Sequence, residues 1–479
     1  MLLVIFSYLL VRHANTRPGF DPYGWLIWGY QTLHLSLDLG GAPSWKPLPY
    51  LFTLPMSLFG SHALTLWMTF ATALTLSGSI FAGRIAYRLT LPSDPEEIDT
   101  FTRWAAIAAG VFAGLALLGI NQWLHLFLSA QSDTMIVALC LGAIDMHLSS
   151  HNRWAYALLV LASLGRPEAW PFTGLYFLWA WRARPQMRWY LGAGLLVIPL
   201  LWFGVPTITN SRPFISAELA ELSVRRIEGN KFLGVFHRYT ALTYLPIQLL
   251  AVFTLIAAYF RRNRTVLVLG GAAILWMLIE MAFVLHGWPG VPRYMIESAG
   301  VQTVLAGVGV GWILVGLPKL LSRSSGATRR SVPRWVGGVI VGLICVSLVP
   351  GAVARFHAEH KDLVHEHGRT QEITRLERAI VDLGGADHIR GCGRPTTYVG
   401  FVSILAYFTH LNVGKVGHKP KFEFKQSYPV ILFSVGPHGW TLLPVHLAAA
   451  TRASCSALRA KVLFDSAHPN GRVKQLTGS

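Results

Sequence analysis

The chain has 479 residues, of which 53% are hydrophobic and 13% charged, and its formal net charge is +18. Soluble chains are nearer a quarter charged, so this balance excludes an ordinary soluble domain and indicates that the bilayer is the main solvent. The basic residues fall in clusters between apolar stretches, as in cytoplasmic loops of membrane proteins, and we therefore expect no nucleic-acid partner.

Apolar stretches of roughly 15 to 20 residues, about the length that crosses hydrocarbon, follow one another as far as residue 352. The basic clusters are Arg182, Arg184 and Arg188; Arg261, Arg262 and Arg264; and Lys319, Arg323, Arg329, Arg330 and Arg334. Placing them in the cytoplasm predicts a multi-pass cell-membrane protein of about eleven helices, with a cytoplasmic N-terminus and an extracytoplasmic C-terminal part. The predicted spans are residues 1–12, 62–88, 104–121, 133–149, 154–165, 168–183, 189–207, 242–260, 265–285, 298–317 and 335–352.

The first outer loop follows a short apolar run that lacks the marks of a cleavable signal peptide. From Pro22 onward, Trp25, Trp28 and Leu33 fall near one helical face, which predicts a helix lying flat in the headgroup layer. Because Pro22 suits the first helical position, Asp21 is open to two interpretations, a helix N-cap or a functional acid.

The fifth and sixth predicted spans form a hairpin whose tip is Arg166-Pro167-Glu168. Each arm has about 12 to 16 residues, or roughly 18 to 24 Å of helix, against ~30 Å of hydrocarbon. The tip should therefore lie below the outer surface. A charged pair at that depth is tolerated only where it lines a wet cavity or is paired inside protein.

The C-terminal part is richer in charge and is interrupted by Gly and Pro. We therefore divide the chain into a transmembrane domain, residues 1–352, and an extracytoplasmic α/β domain, residues 353–479. Apolar spacing predicts helices at Arg369 to Leu383 and Ala448 to Leu458, and strands at Val430 to Val435 and Lys461 to Phe464. Cys392 and Cys455 are a candidate disulfide if this part is extracytoplasmic.

Several short motifs occur in order along the chain. They are Asp21 with Tyr23, Lys46-Pro47-Leu48-Pro49-Tyr50 followed by Leu58-Phe59-Gly60, Ser132-Asp133-Thr134-Met135, the Arg166-Pro167-Glu168 tip, and Pro292-Arg293-Tyr294-Met295. In this order and topology they resemble the GT-C membrane glycosyltransferases, specifically the dolichyl-phosphate-mannose protein mannosyltransferase-like group. The resemblance covers roughly the first 320 residues.

The resemblance implies transfer of a sugar from a polyprenyl-phosphate donor to an acceptor at the outer face of the membrane, which would be a cell-envelope glycan, a lipid or a protein. Asp21 would take the acceptor proton, with Asp133 or Glu168 as a second acid. Cations would meet the charge on the leaving phosphate. The candidates for that role are Arg293, Arg166 and Lys46, and those for the substrate cavity are Tyr23, Trp25, Tyr50 and Tyr294.

Each cation also has a structural alternative: Arg166 pairs with Glu168, Arg293 anchors the chain at the interface, and Lys46 snorkels. The family that the chain resembles usually carries two adjacent acidic residues or an acidic pair spread over two loops, whereas here Pro22 follows Asp21. We therefore assign no cofactor and leave a magnesium or manganese ion open.

Two further polar groups lie in predicted spans or outer loops. Glu280 is an intramembrane carboxylate, which is either functional or paired with His286. His125 is a candidate for lining a sugar site, without metal-ligand spacing in the sequence.

Two rival functions remain. A transporter or flippase for a lipid-linked glycan would use a similar cavity, although such proteins usually show repeated halves. A noncatalytic cell-envelope scaffold would use the C-terminal part to bind glycan or a partner.

Overall fold

The computed structural model describes residues 1–41, 43–92, 94–221, 225–324, 335–423, 425, 428–436, 439–445, 455, 461–463 and 474–476. Six helices among these residues are long and apolar enough to cross a membrane, or seven if two helices joined by a 100° bend form one span. Apart from Cys455, the predicted helix at Ala448 to Leu458 lies outside the described residues, as do Arg329, Arg330 and Arg334.

The helices of the first half are α1 (Leu2–Ala14), α2 (Phe20–Leu33), α3 (Pro47–Met56), α4 (Ala63–Thr90), α5 (Thr100–Leu118), α6 (Trp123–Leu128), α7 (Ser132–Leu148), α8 (Asn152–Gly165), α9 (Trp170–Ala183), α10 (Arg188–Pro199) and α11 (Val205–Asn210). The later helices are α12 (Ile215–Glu221), α13 (Lys231–Thr240), α14 (Leu245–Phe260), α15 (Arg264–Leu285), α16 (Ile296–Ser324), α17 (Trp335–Asp382), α18 (Gly385–Cys392), α19 (Val402–Thr409) and α20 (Pro420–Glu423). Every predicted span overlaps a helix or a run of helices. The predicted fold class, a polytopic helical membrane protein with a small C-terminal α/β region, is confirmed.

The centre of the bundle is built from α4, α5, α7 and α16. Small residues let these backbones approach closely. A Cβ on Gly110 would lie 2.8 Å from the carbonyl oxygen of Gly83, and one on Gly307 would lie 2.6 Å from that of Ala109. Such contacts are the usual basis of helix packing in membranes, where burial of apolar surface adds little.

The helix α2 lies inside the protein and not in the headgroup layer. Trp25 and Trp28 are 0% and 1% exposed, and their rings pack against Trp67 and Trp45 at centroid distances of 5.4 and 5.2 Å. The predicted interfacial face is therefore wrong, because α3, α19 and Trp67 of α4 cover α2 and leave only its end, at Leu33, exposed.

The helix α17 runs without a break across the predicted domain boundary at residues 352 and 353. Its first part is apolar, and its part beyond Arg355 is rich in His, Asp and Glu. One continuous helix therefore links the transmembrane bundle to the C-terminal region, and the division of the chain at 352 stays a prediction.

The C-terminal region contains a three-stranded sheet of β1 (Arg394–Thr396), β2 (Val430–Gly436) and β3 (Gly439–Val445), and a pair of β4 (Lys461–Leu463) and β5 (Lys474–Leu476). In the sheet, β1 runs parallel to β2 with Thr396 opposite Leu432, and β3 runs antiparallel to β2. The structure joins Cys392 and Cys455 in a disulfide. Ser403 on α19 donates a 2.5 Å hydrogen bond to the carbonyl of Phe20, so this region covers the start of α2.

Candidate active site

The first acid of the site lies at the start of α2. Gly19 is the N-cap and Asp21 lies in the first turn, so the interpretation of Asp21 as the cap is wrong. The Gly19 amide donates to the carbonyl of Ser129 at 2.9 Å, and a Cβ on Gly19 would meet the Gln131 side chain at 2.7 Å. This close approach fixes the start of α2 against the turn that leads into α7.

The second acid, Asp133, lies in the first turn of α7 and is fully buried. Its partner is Arg166 at the hairpin tip, which pairs with one carboxylate oxygen. The same guanidinium has Nε 3.0 Å from Glu297 Oε1 and Nη1 3.6 Å from Glu168 Oε1. Because Arg166 is 3% exposed and surrounded by these acids, the structure favours the alternative of internal pairing over contact with a donor.

Arg293 bridges the two acids of the site. Its Nη1 atom lies 3.4 Å from Asp21 Oδ2 and 3.9 Å from Asp133 Oδ2. The carbonyl of Arg293 accepts a 3.0 Å hydrogen bond from Arg166, which fixes the backbone at this point. Burial opposes the charge of the Arg293 guanidinium, but Asp133, Tyr294 and Asp21 outweigh it and raise its pKa. Arg293 therefore remains a cation between two carboxylates.

Lys46 is the second cation of the site. It caps α3, and its Nζ donates a 3.5 Å hydrogen bond to Ser132 Oγ, one residue before Asp133. The ammonium also lies 6.0 Å from the ring centroid of Trp25. Burial lowers the pKa of Lys46, and Asp133 works in the opposite direction. The structure thus gathers Asp21, Asp133, Arg293 and Lys46 at one end of the bundle.

Behind Arg166 lies a buried group of carboxylates. Glu168, Glu280 and Glu297 are 1%, 0% and 2% exposed, and Glu280 interacts electrostatically with both of the others. The expected pairing of Glu280 with His286 is wrong, since the His286 ring is exposed and bonds to the carbonyl of Ala282 at 2.8 Å. Glu168 belongs to this buried group beside Arg166, and its role as a second acid stays a prediction.

The sequence interpretation did not single out Glu297. Its signal is an acid three residues after Tyr294, at the first turn of a helix whose next four turns are largely apolar. Without coordinates, nothing distinguishes that position from an ordinary first-turn acid that favours the helix dipole.

The four aromatic candidates divide into two groups. Tyr23 is fully buried and packs edge-on against Tyr407 at 5.4 Å, and Trp25 is buried against Trp67, so both are packing residues. Tyr50 is 8% exposed and bonds to Thr32 at 3.0 Å. Tyr294 lies beneath both arginines, with its ring centroid 4.5 Å from Arg166 Cζ and 5.6 Å from Arg293 Cζ. The predicted role in a substrate cavity is carried forward for Tyr50 and Tyr294.

A metal ion at the first loop would have to compete with these cations. Arg293 lies within 4 Å of the carboxylates of Asp21 and Asp133, which would be the metal ligands, and Lys46 interacts electrostatically with both. Within the described part of the chain, the His, Cys, Asp and Glu group with metal-ligand spacing lies elsewhere, at His125, Asp362 and Glu366. A magnesium or manganese ion at Asp21 therefore stays open.

Comparison with known proteins gives fold likeness without sequence likeness. No protein-family model matches the chain, and no curated protein matches it. Two crystal structures of ArnT from Cupriavidus metallidurans match over 95% of this chain and 94% of theirs. The structure bound to undecaprenyl phosphate has 15% identity and a TM-score of 0.52, and the apo structure has 14% identity and a TM-score of 0.50.

A third structure is more distant. The archaeal oligosaccharyltransferase AglB from Archaeoglobus fulgidus matches over 88% of this chain and 64% of its own, with 11% identity and a TM-score of 0.40. The two ArnT structures show that this chain has the ArnT fold, in agreement with the fold that the sequence resemblance implied. The mannosyltransferase-like group stays a prediction.

Proposed function

We propose that this chain, which has the GT-C fold, transfers a sugar from a polyprenyl-phosphate donor to an extracytoplasmic acceptor, which is a cell-envelope glycan, a lipid or a protein. The observation that carries the proposal is Arg293 within 3.4 Å of Asp21 and 3.9 Å of Asp133, with Lys46 beside them. The structure of ArnT with undecaprenyl phosphate supports a polyprenyl phosphate as the carrier of the sugar.

Asp21 is the base of the proposed reaction. Its side chain is 17% exposed, whereas that of Asp133 is 0% exposed and paired with Arg166. Asp21 is therefore the carboxylate that an acceptor hydroxyl reaches. The acceptor oxygen forms a bond to the anomeric carbon, its proton passes to Asp21, and the bond from the anomeric carbon to the phosphate oxygen breaks.

The electron pair of the broken bond stays on the leaving polyprenyl phosphate. Arg293, with a side chain 30% exposed, and the partly buried Lys46 are the cations that meet this charge. A planar guanidinium suits two phosphate oxygens at once, and the lysine adds a point charge from the side of α3. The two cations are fixed before the donor arrives, since Arg293 is held through its backbone and Lys46 through Ser132.

Asp133 and Arg166 position the site. Arg166 contacts Asp133 through its side chain and the Arg293 carbonyl through the same Nη2 atom. One buried guanidinium thus couples the start of α7 to the turn before α16. Asp133 is the second acid of the proposal, and it acts on the orientation and charge of Arg293.

We place the site on the extracytoplasmic side of the membrane. The basic clusters at residues 182–188 and 261–264 lie at the end of α9 and between α14 and α15. Arg166 lies in the turn before α9, and Arg293 lies in the turn between α15 and α16, so these site residues lie at the helix ends opposite to the basic clusters. Because basic loops favour the cytoplasm, the N-terminus is cytoplasmic and the C-terminal region extracytoplasmic in this proposal.

The test is release of polyprenyl phosphate. Purified protein is incubated with polyprenyl-phosphate-linked sugars and membrane extract as acceptor, and free polyprenyl phosphate is measured. A glycosyltransferase releases it, whereas a flippase moves the intact donor across vesicles and a scaffold only binds it. Movement or binding without release would overturn the proposal.

A further inference from the structure

A second polar cluster lies away from Asp21, where α6 contacts the polar part of α17. His125 Nδ1 lies 3.0 Å from Asp362 Oδ2 and 3.8 Å from Glu366 Oε1. The three possible ligand atoms all lie within 4.8 Å of one another. The proposed transfer reaction uses none of these residues.

The spacing of these atoms is close to that of a tetrahedral metal site. Ligand atoms about 2.0–2.2 Å from a zinc ion lie roughly 3.3–3.6 Å apart when the geometry is tetrahedral. The two distances from His125 fall on either side of that range. Asp362 and Glu366 are one helical turn apart on α17, so their carboxylates reach the same point from one face. One imidazole with two carboxylates is a donor set that suits zinc, and an open fourth position would take water.

The surroundings also suit a bound cation. Glu366 is 1% exposed, and its second oxygen pairs with Arg369, so the first oxygen remains for a metal. Arg369 also donates to the carbonyl of Arg17 at 3.3 Å, in the segment just before α2. An outer partner of this kind orients a ligating carboxylate. His125 and Asp362 are 43% and 30% exposed, which leaves a path for the ion.

We propose that His125, Asp362 and Glu366 bind a divalent transition-metal ion, with zinc as the preferred ion. The ion joins α6 to α17. A short turn joins α6 to α7, and the Ser129 carbonyl in that turn accepts a hydrogen bond from the Gly19 amide. By fixing α6, the ion therefore supports the starts of α2 and α7, which carry Asp21 and Asp133. It is a structural site distinct from the one at Asp21.

The test is zinc binding by the full-length protein in detergent, after chelator treatment and removal of any affinity tag. Calorimetric titration should show about one equivalent bound. The variants His125→Asn and Asp362→Asn should weaken binding by about 100-fold or more, since even the outer partners of metal ligands contribute about 10- to 100-fold. The matched control is His360→Asn, which replaces an exposed histidine on α17, the helix that carries Asp362. This variant should bind zinc like the wild type.

Loss of binding in His360→Asn with retention in His125→Asn would mean adventitious binding to surface histidines and would overturn the proposal, as would no binding at all. Cobalt in the wild-type protein gives a second measurement that needs no variant. Intense visible absorption of tetrahedral cobalt, absent when zinc is added first, is expected. A weak octahedral spectrum would count against a site built from these three side chains.

Discussion

The Nη1 atom of Arg293 lies 3.4 Å from Asp21 Oδ2, although 272 residues separate the two along the chain. The contact joins the first turn of α2 to the turn before α16. It places a cation suited to a leaving phosphate beside a carboxylate suited to an acceptor proton, and this pairing underlies the proposed chemistry.

Replacing Arg293 by Ala should reduce sugar transfer while leaving the fold intact. The side chain is 30% exposed, so its removal leaves no deeply buried cavity. Loss of one preorganised charge at a developing anion typically costs about 10²–10³ in rate. The measurement is kcat/KM for polyprenyl-phosphate release, with thermal unfolding as the check of folding.

The matched variant is Arg293→Lys, which keeps the charge without the planar fork. It should recover part of the rate. Wild-type activity in Arg293→Ala would remove this arginine from the donor site.

Replacing Arg166 by Met should mainly lower the stability of the protein, because Arg166 is a structural partner of buried acids and not a donor contact in this proposal. The substitution leaves Asp133, Glu168 and Glu297 buried without their shared cation. Removing one partner of a buried ion pair costs about 3–5 kcal/mol. The expected result is a clear fall in melting temperature in detergent.

The control for Arg166 is Arg212→Met, which breaks an exposed pair with Glu218. Exposed pairs contribute about 0–1 kcal/mol, so this variant should melt close to the wild type. Equal melting temperatures for both variants would contradict the structural role of Arg166.

Binding of the donor phosphate should weaken with rising pH before the pH at which an exposed lysine loses its proton is reached. Burial lowers the pKa of Lys46, so its ammonium loses the proton at a lower pH than an exposed lysine does. Loss of that charge removes one of two cations facing the phosphate. The measurement is the Kd for polyprenyl phosphate across this pH range.

The variant Lys46→Arg separates this effect from other titrations, because a guanidinium stays charged throughout. Its Kd should change little with pH. An equally steep pH dependence in Lys46→Arg would assign the titration to another group.

The sequence predicted that the site residues share one end of the bundle, but it did not predict their contacts. Asp21, Asp133 and Arg293 each precede or begin an apolar stretch, so alternating crossings bring them to one end of the bundle. Topology does not say which cation touches which acid. From the sequence, Arg166 and Arg293 are equally good candidates for contact with the donor phosphate. Their exposure distinguishes them, because Arg166 is buried and the side chain of Arg293 is partly exposed.

Contacts between distant segments account for what the sequence did not reveal. The face of α2 that carries Trp25 and Trp28 looked interfacial, because its periodicity does not indicate whether lipid or other aromatic residues, here Trp67 and Trp45, cover it. His125 likewise showed no metal spacing, since Asp362 lies 237 residues further along the chain. The length of α17 was missed because its hydrophobic pattern ends long before the helix does.

The most direct test of the central claim is polyprenyl-phosphate release by Asp21→Asn, with Glu218→Gln as the control that alters an exposed carboxylate. Asn keeps the shape of the side chain and removes the base. The account predicts that Asp21→Asn folds, binds the donor and releases no polyprenyl phosphate above background, while Glu218→Gln retains wild-type release. Wild-type release by Asp21→Asn would contradict the account.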